Sequence, residues 1–140
     1  MKIGIMASQI SGHLTTPNNY ESISTVPVTS TVGYIEFTSI PATFQHLQIR
    51  AIAQGATSGS ILATFNSDTA GNYSNHSLYG DGASAGAQAG SSTSNINICR
   101  NGGISTTANI FSAFVIDILD YANTNKYKTT RALNGQDLNG

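Results

Sequence analysis

Charge is what this chain has least of. Only 9% of its 140 residues are charged, against roughly a quarter in an average soluble domain. The formal net charge is -1, so there is no basic footprint for nucleic acid or for an anionic membrane surface. Little repulsion separates one copy from another, which favours self-association. Tryptophan is absent and cysteine occurs once, as Cys99. A single cysteine excludes an intrachain disulfide and a multi-cysteine zinc site. Within NINICR, Cys99 reads as a small buried hydrophobe. No apolar run approaches the 18 or so residues of a membrane span. The opening MKIGIMASQISGHL is too polar for the core of a signal peptide. The expectation is a soluble chain made in the cytoplasm, with residues 1–5 an upstream start or an extension ahead of a more ordinary opening at Met6.

Serine, threonine and asparagine fill the space left by charge, at roughly a third of the chain. Disorder pairs low hydrophobicity with high net charge, whereas 39% of these residues are hydrophobic. Residues 7–19 are polar and read as an extended arm, so that residues 1–19 precede a folded domain over 20–140. From Tyr20 onward the apolar period is two. Residues 20–28 alternate imperfectly, with Pro27 marking an edge strand. Residues 32–37 alternate with Gly33, Ile35 and Phe37 on one face and Val32, Tyr34 and Glu36 on the other. In HLQIRAIA, residues 46–53, Leu47, Ile49, Ala51 and Ala53 point inward and His46, Gln48 and Arg50 outward. Residues 61–66 make a fourth strand.

The stretch NSDTAGNYSNHSLYGDGASAG, residues 66–86, is nearly free of aliphatic side chains, yet carries two tyrosines. NSDTAGN reads as a turn, with Asn and Asp bonding their own backbone and Gly71 supplying a positive φ. Tyr73, Asn75, Ser77 and Tyr79 then share one strand face, opposite Ser74, His76 and Leu78. With Asp81 at the strand's end, Tyr73, Asn75 and Tyr79 form a candidate ligand or partner surface, aromatic and hydrogen-bonding, of a kind suited to glycan or protein. A long Gly/Ala/Ser loop follows to about Ser94, then a short strand over 96–100 and a turn at NGG, residues 101–103. NIFSAFVIDILDY, residues 109–121, is the least polar segment. Its spacing also fits a helix, but β-branched and aromatic content and the ANTN turn that follows favour a strand pairing with KYKTTRAL. Ile110, Phe114, Ile116 and Ile118 then face one side, Phe111, Val115 and Leu119 the other, and a strand apolar on both faces is covered on both, in a sandwich centre or under a neighbouring subunit. Short strands joined by Gly/Asn/Ser turns predict an all-β antiparallel β-sandwich, jelly-roll-like.

Chemistry is sparse. His13, His46 and His76 lie in no metal-binding spacing, and no G-x-S-x-G elbow presents a nucleophile. GDGASAG misses the dinucleotide-binding pattern by one residue and follows no βαβ unit. Asn66, Asp68 and Asn72 offer oxygens, but too few for a calcium loop. Asp117 and Asp120, three apart on a strand, face opposite sides and make no acid–base pair. In an apolar run Asp117 needs a partner, and Arg131 on the return strand is the candidate, as a buried ion pair. No catalytic, cofactor-binding or metal residue emerges.

Three segments, PATFQHLQIR, FNSDTAGNYSNHSLYGDGASA and ANIFSAFVIDILDYANTNKYKTTRALNG, resemble in order those of small structural proteins of tailed bacteriophages, over roughly residues 20–135. The resemblance implies a β-sandwich virion component without enzymatic activity, and carries no active-site residue with it. Proteins of this kind continue past the LNG turn with further strands, whereas this sequence stops at QDLNG; the expectation is an incomplete record, or a sheet edge left open for a neighbour. The function expected is structural: a homo-oligomer, with a trimer as the first guess, bound to other virion proteins, decorating the particle or forming part of a fibre or tail. The alternative is a receptor- or glycan-binding head of a tail fibre, using the Tyr73/Tyr79 face and the 80–94 loop on a host-surface glycan. Nucleic acid and membrane are not expected partners.

Overall fold

The computed structural model describes residues 20–100 and 102–136. The arm expected over 1–19, and Asn101 of the expected NGG turn, lie outside the described residues. The chain divides into two units, Met1–Ile40 and Pro41–Gly140.

Among the described residues of the first unit, 20–40, there is no strand and every residue is exposed. Both strands expected here, over 20–28 and 32–37, are corrected by this. Alternation fits a residue to a pleated surface, but a strand exists only where a ladder takes its N–H and C=O groups. Pro27 has no N–H to offer such a ladder.

Among its described residues the second unit is all-β, with seven strands: β1 Leu47–Ala53, β2 Ile61–Ala63, β3 Tyr73–Gly80, β4 Ala85–Thr93, β5 Ile96–Cys99, β6 Ser112–Leu119 and β7 Thr129–Gln136. All pairings are antiparallel. One sheet runs β1-β6-β7, and two ribbons pair β2 with β5 and β3 with β4. No helix occurs among the described residues; the ambiguous segment 109–121 is strand β6, and it sits in the middle of its sheet.

The sheets pack against each other through β6 and β5. Phe114 and Ile116 meet Ile98 and Cys99, with Ile49, Ala51 and Ala53 of β1 and Ile61 and Ala63 of β2 around them. Each fully buried Ile or Phe contributes about 1.5–3 kcal/mol. On β6 the side chains Ser112, Phe114, Ile116 and Ile118 are buried, while Ala113 and Val115 are exposed. Within the chain, therefore, one β6 face is buried and the other is half open, so β6 is not a sandwich centre covered on both faces. Ser112, a polar residue, is fully enclosed. Its hydroxyl accepts from the Ser105 N–H at 3.1 Å and donates to Gln136 Oε1 at 3.1 Å. Two other enclosed polar atoms, Asn97 Oδ1 and Thr130 Oγ1, have no partner among the described residues.

Two further expectations change. The strand predicted over 61–66 stops at Ala63, because Asn66 and Ser67 take φ of 52° and 58° and reverse the chain. Those two residues, and not Gly71, supply the positive φ of the turn. Gly71 is needed for a different reason: a Cβ there would lie 3.0 Å from the Ser92 carbonyl oxygen. The long loop expected over 80–94 is mostly strand β4. Only DGAS, residues 81–84, turns, closed by Asp81 N–H donating to Ser84 C=O at 3.1 Å with Gly82 at φ +87°.

Candidate functional site

The β3–β4 ribbon carries the tyrosine surface, and its register explains the small residues of β4. Tyr79 stands opposite Gly86 and Asn75 opposite Gly90. A Cβ at Gly86 would lie 2.6 Å from Tyr79 Cζ, and one at Gly90 would lie 3.0 Å from Asn75 Nδ2. Glycines thus make room for large side chains across the ladder. Tyr73, Asn75, Ser77 and Tyr79 form the half-buried face and Ser74, His76 and Leu78 the exposed one.

Most of the polar reach of these residues is turned inward. The Tyr73 hydroxyl accepts from the Phe65 N–H at 3.0 Å and donates to the Asp68 carbonyl at 3.1 Å, which holds the 66–72 turn onto the ribbon. The Tyr79 ring lies against Gly86, with the Arg100 guanidinium 3.8 Å from its centroid, a cation–π contact. Asp81 Oδ1 accepts from the Ser84 and Ala83 N–H groups at 2.8 and 3.0 Å. Those bonds, with a smaller contribution from the Arg100 charge, hold its carboxyl below the usual carboxylate range. Asp68 is similarly occupied: its oxygens accept from Asn72 Nδ2 and Ala70 N–H, both at 2.9 Å, and its pKa is lowered by them in that order. The turn that offered calcium ligands is thus an Asx turn with its carboxylate already bonded. Across the ribbon's exposed face runs a shallow depression of about 550 Å³ lined by His76, Ser77, Leu78, Ala87, Gln88 and Ala89.

The three-stranded sheet presents the second surface. On the face turned away from the core, neighbouring strands align Ile52 with Ala113 and Gly135, Arg50 with Val115 and Leu133, and Gln48 with Asp117 and Arg131. Ile52 is 77% and Leu133 75% exposed. Adjacent side chains on one sheet face are about 4.5–5.5 Å apart, so Ile52, Ala113, Val115 and Leu133 form a contiguous apolar patch beside a polar row. In that row Gln48 Nε2 donates to Asp117 Oδ1 at 2.7 Å and Arg131 Nη2 to Asp117 Oδ2 at 2.8 Å. The Gln48 bond first, then Arg131, keep the Asp117 carboxyl below its usual range. The pair joins as the spacing implied, but on the solvent side of the sheet.

Three further titratable groups meet at Asp120. His46 Nδ1 accepts from the Asp120 N–H at 3.0 Å, and Lys126 pairs with the Asp120 carboxylate, the main cause of that group's lowered pKa. His76 lies on the ribbon's outer face, and His13 is outside the described residues. Burial pushes the Cys99 thiol up, and its Sγ accepts from the Ile61 N–H at 3.2 Å. Among the described residues no three His, Cys, Asp or Glu side chains gather where a metal ion would bind. The extent of the apolar patch, from Ile52 across β6 to Leu133, is the feature that sequence reading missed. Its signal was present in the β6 side chains assigned to the second face, but which of them stayed uncovered depends on the neighbours β1 and β7. Comparison of the chain with protein-family models, with curated proteins and with solved structures finds no match.

Proposed function

We propose that this protein is a self-associating structural component of a bacteriophage virion, decorating the particle or forming part of a fibre or tail. The observation that carries the reading is the imbalance of apolar surface. Among the described residues five hydrophobic side chains are buried, whereas sixteen large ones are exposed, and part of the exposed set forms the patch of Ile52, Val115 and Leu133. Scattered apolar residues on a surface are ordinary, but a contiguous patch rimmed by polar groups marks an interaction site. The low charge opposes association little. The likeness of three segments to small virion proteins gives the context in which such association is used. In this reading the β1-β6-β7 sheet and the β2–β5 ribbon are layers of a β-sandwich, jelly-roll-like in plan, and further copies cover what one chain leaves open.

Sedimentation and light scattering of the purified chain test the association, and antibody labelling of purified phage particles tests the location. A monomer at all concentrations, or particles without the protein, would overturn the proposal. The glycan-binding alternative draws less support, since the Tyr73 hydroxyl is engaged by Phe65 and Asp68 and the Tyr79 ring by Arg100.

A further inference from the structure

The first unit supplies what the second lacks. Of the sixteen exposed large hydrophobic residues, nine lie between Tyr20 and Ile40. Residues 33–38 read GYIEFT, with alternating side chains, and belong to no strand. In the second unit β1 stands at the edge of its sheet, bonded to β6. Among the described residues no strand bonds the far side of β1, and its core-facing residues Leu47, Ile49, Ala51 and Ala53 are only half buried. An edge of this kind is a template for another strand.

We propose that residues 33–38 of one copy add to the β1 edge of a second copy as an antiparallel strand, with Glu36 opposite Arg50. This deepens the self-association proposed above and rests on it. The register follows from the side chains. Placing Glu36 opposite Arg50 puts Tyr34 opposite Ile52, Ile35 opposite Ala51 and Phe37 opposite Ile49. Ile35 and Phe37 then extend the core face, the larger Ile35 beside the small Ala51. Tyr34 covers Ile52, which is 77% exposed, and thereby extends over the apolar patch. A shift of one residue would turn Glu36 into the core and is excluded by its charge. A shift of two would put Glu36 opposite an apolar residue or Gln48 and lose the opposite-charge pair. Glu21 and Glu36 are the only charges between residues 20 and 40, so the added strand is anionic where it meets Arg50, whose Nε already donates to Gln48 Oε1 at 2.6 Å and whose positive charge Glu36 would share. The strand has natural limits: Ser39 takes φ 56° and Pro41 follows.

The test uses the full chain carrying Cys99→Ser, with Tyr34→Cys in one preparation and Ile52→Cys in another, mixed, refolded together and oxidised. Cysteines directly opposite on antiparallel strands lie within disulfide reach. The expected product is a disulfide-linked heterodimer on a non-reducing gel. A chain carrying both cysteines should give covalent oligomers. A disulfide closed within one chain, or none, would overturn the strand exchange. Charge reversal provides a second measure that needs no cysteine: Glu36→Arg should weaken association about tenfold, and Arg50→Glu added to it should restore most of the loss. Failure of the double variant to recover would also overturn the register. If the unaltered chain sediments as an oligomer while these tests fail, only the strand exchange falls; if it is monomeric, the reading beneath it falls as well.

Discussion

Asp117 and Arg131 face each other across the β6–β7 ladder, with the arginine Nη2 2.8 Å from the carboxylate Oδ2. The arginine side chain is 76% exposed and the carboxylate 20%, so this is a pair on a wet sheet face, closed on its other side by Gln48. Exposed pairs of this kind contribute little individually. Because the Asp117 pKa is lowered from 3.8 on folding, its contribution is present above that value and is lost as pH falls through the folded pKa. Asp117→Asn should lower the denaturation midpoint modestly at pH 7. The difference from the unaltered protein should shrink in urea titrations repeated below pH 3.8.

Gly86→Ala should destabilise the ribbon by about 1–3 kcal/mol, the usual cost of an inserted methyl that forces its neighbours aside. The new carbon would sit 2.6 Å from the Tyr79 ring, which the Arg100 guanidinium also confines. Denaturation of Gly86→Ala, Tyr79→Leu and the double variant checks this. The two changes should be non-additive, with much of the alanine's cost removed once the ring is gone.

Two buried hydroxyls should respond with opposite signs. Ser112→Ala strands the Ser105 N–H, which it now accepts from at 3.1 Å, and should cost about 1–3 kcal/mol. Thr130→Val removes an enclosed oxygen with no partner among the described residues at nearly constant volume, and should be neutral or stabilising by about 1 kcal/mol. Thermal unfolding of both variants side by side decides the matter.

Ile52→Glu and Leu133→Glu place charges on the apolar patch without touching the buried core. Both residues are already about three-quarters exposed, so the fold should keep its circular dichroism spectrum. Association, followed by sedimentation velocity across a hundredfold range of concentration, should weaken by about tenfold or more per substitution, since an interface that buries an unpaired charge is heavily penalised. A variant that associates as before would remove the patch from the interface.

Alternation identified β1, β3 and β5 with little ambiguity, because a strand half in water imposes period two on its side chains regardless of where its neighbours lie, whereas β6 fitted a helix as well and was read as a strand from its β-branched and aromatic content and the turn after it. The Asp117–Arg131 contact was readable for the same reason: a hairpin fixes which residues stand opposite. β4 was not readable, since AGAQAGSST has little strand propensity of its own and is held in place by opposing Tyr79, Leu78 and Asn75. Residues 20–40 failed in the other direction, alternating imperfectly over 20–28 and well over 32–37 yet forming no strand.

By itself the sequence determined the class of fold and the direction each side chain takes along its strand, since both follow from local backbone geometry. Only the tertiary structure decided which alternating segments found a ladder, that Tyr73 and Tyr79 serve the ribbon's interior, and that one face of the β1-β6-β7 sheet stays open. Pairing and covering depend on distant residues arriving at the same place, and no local pattern records whether they do.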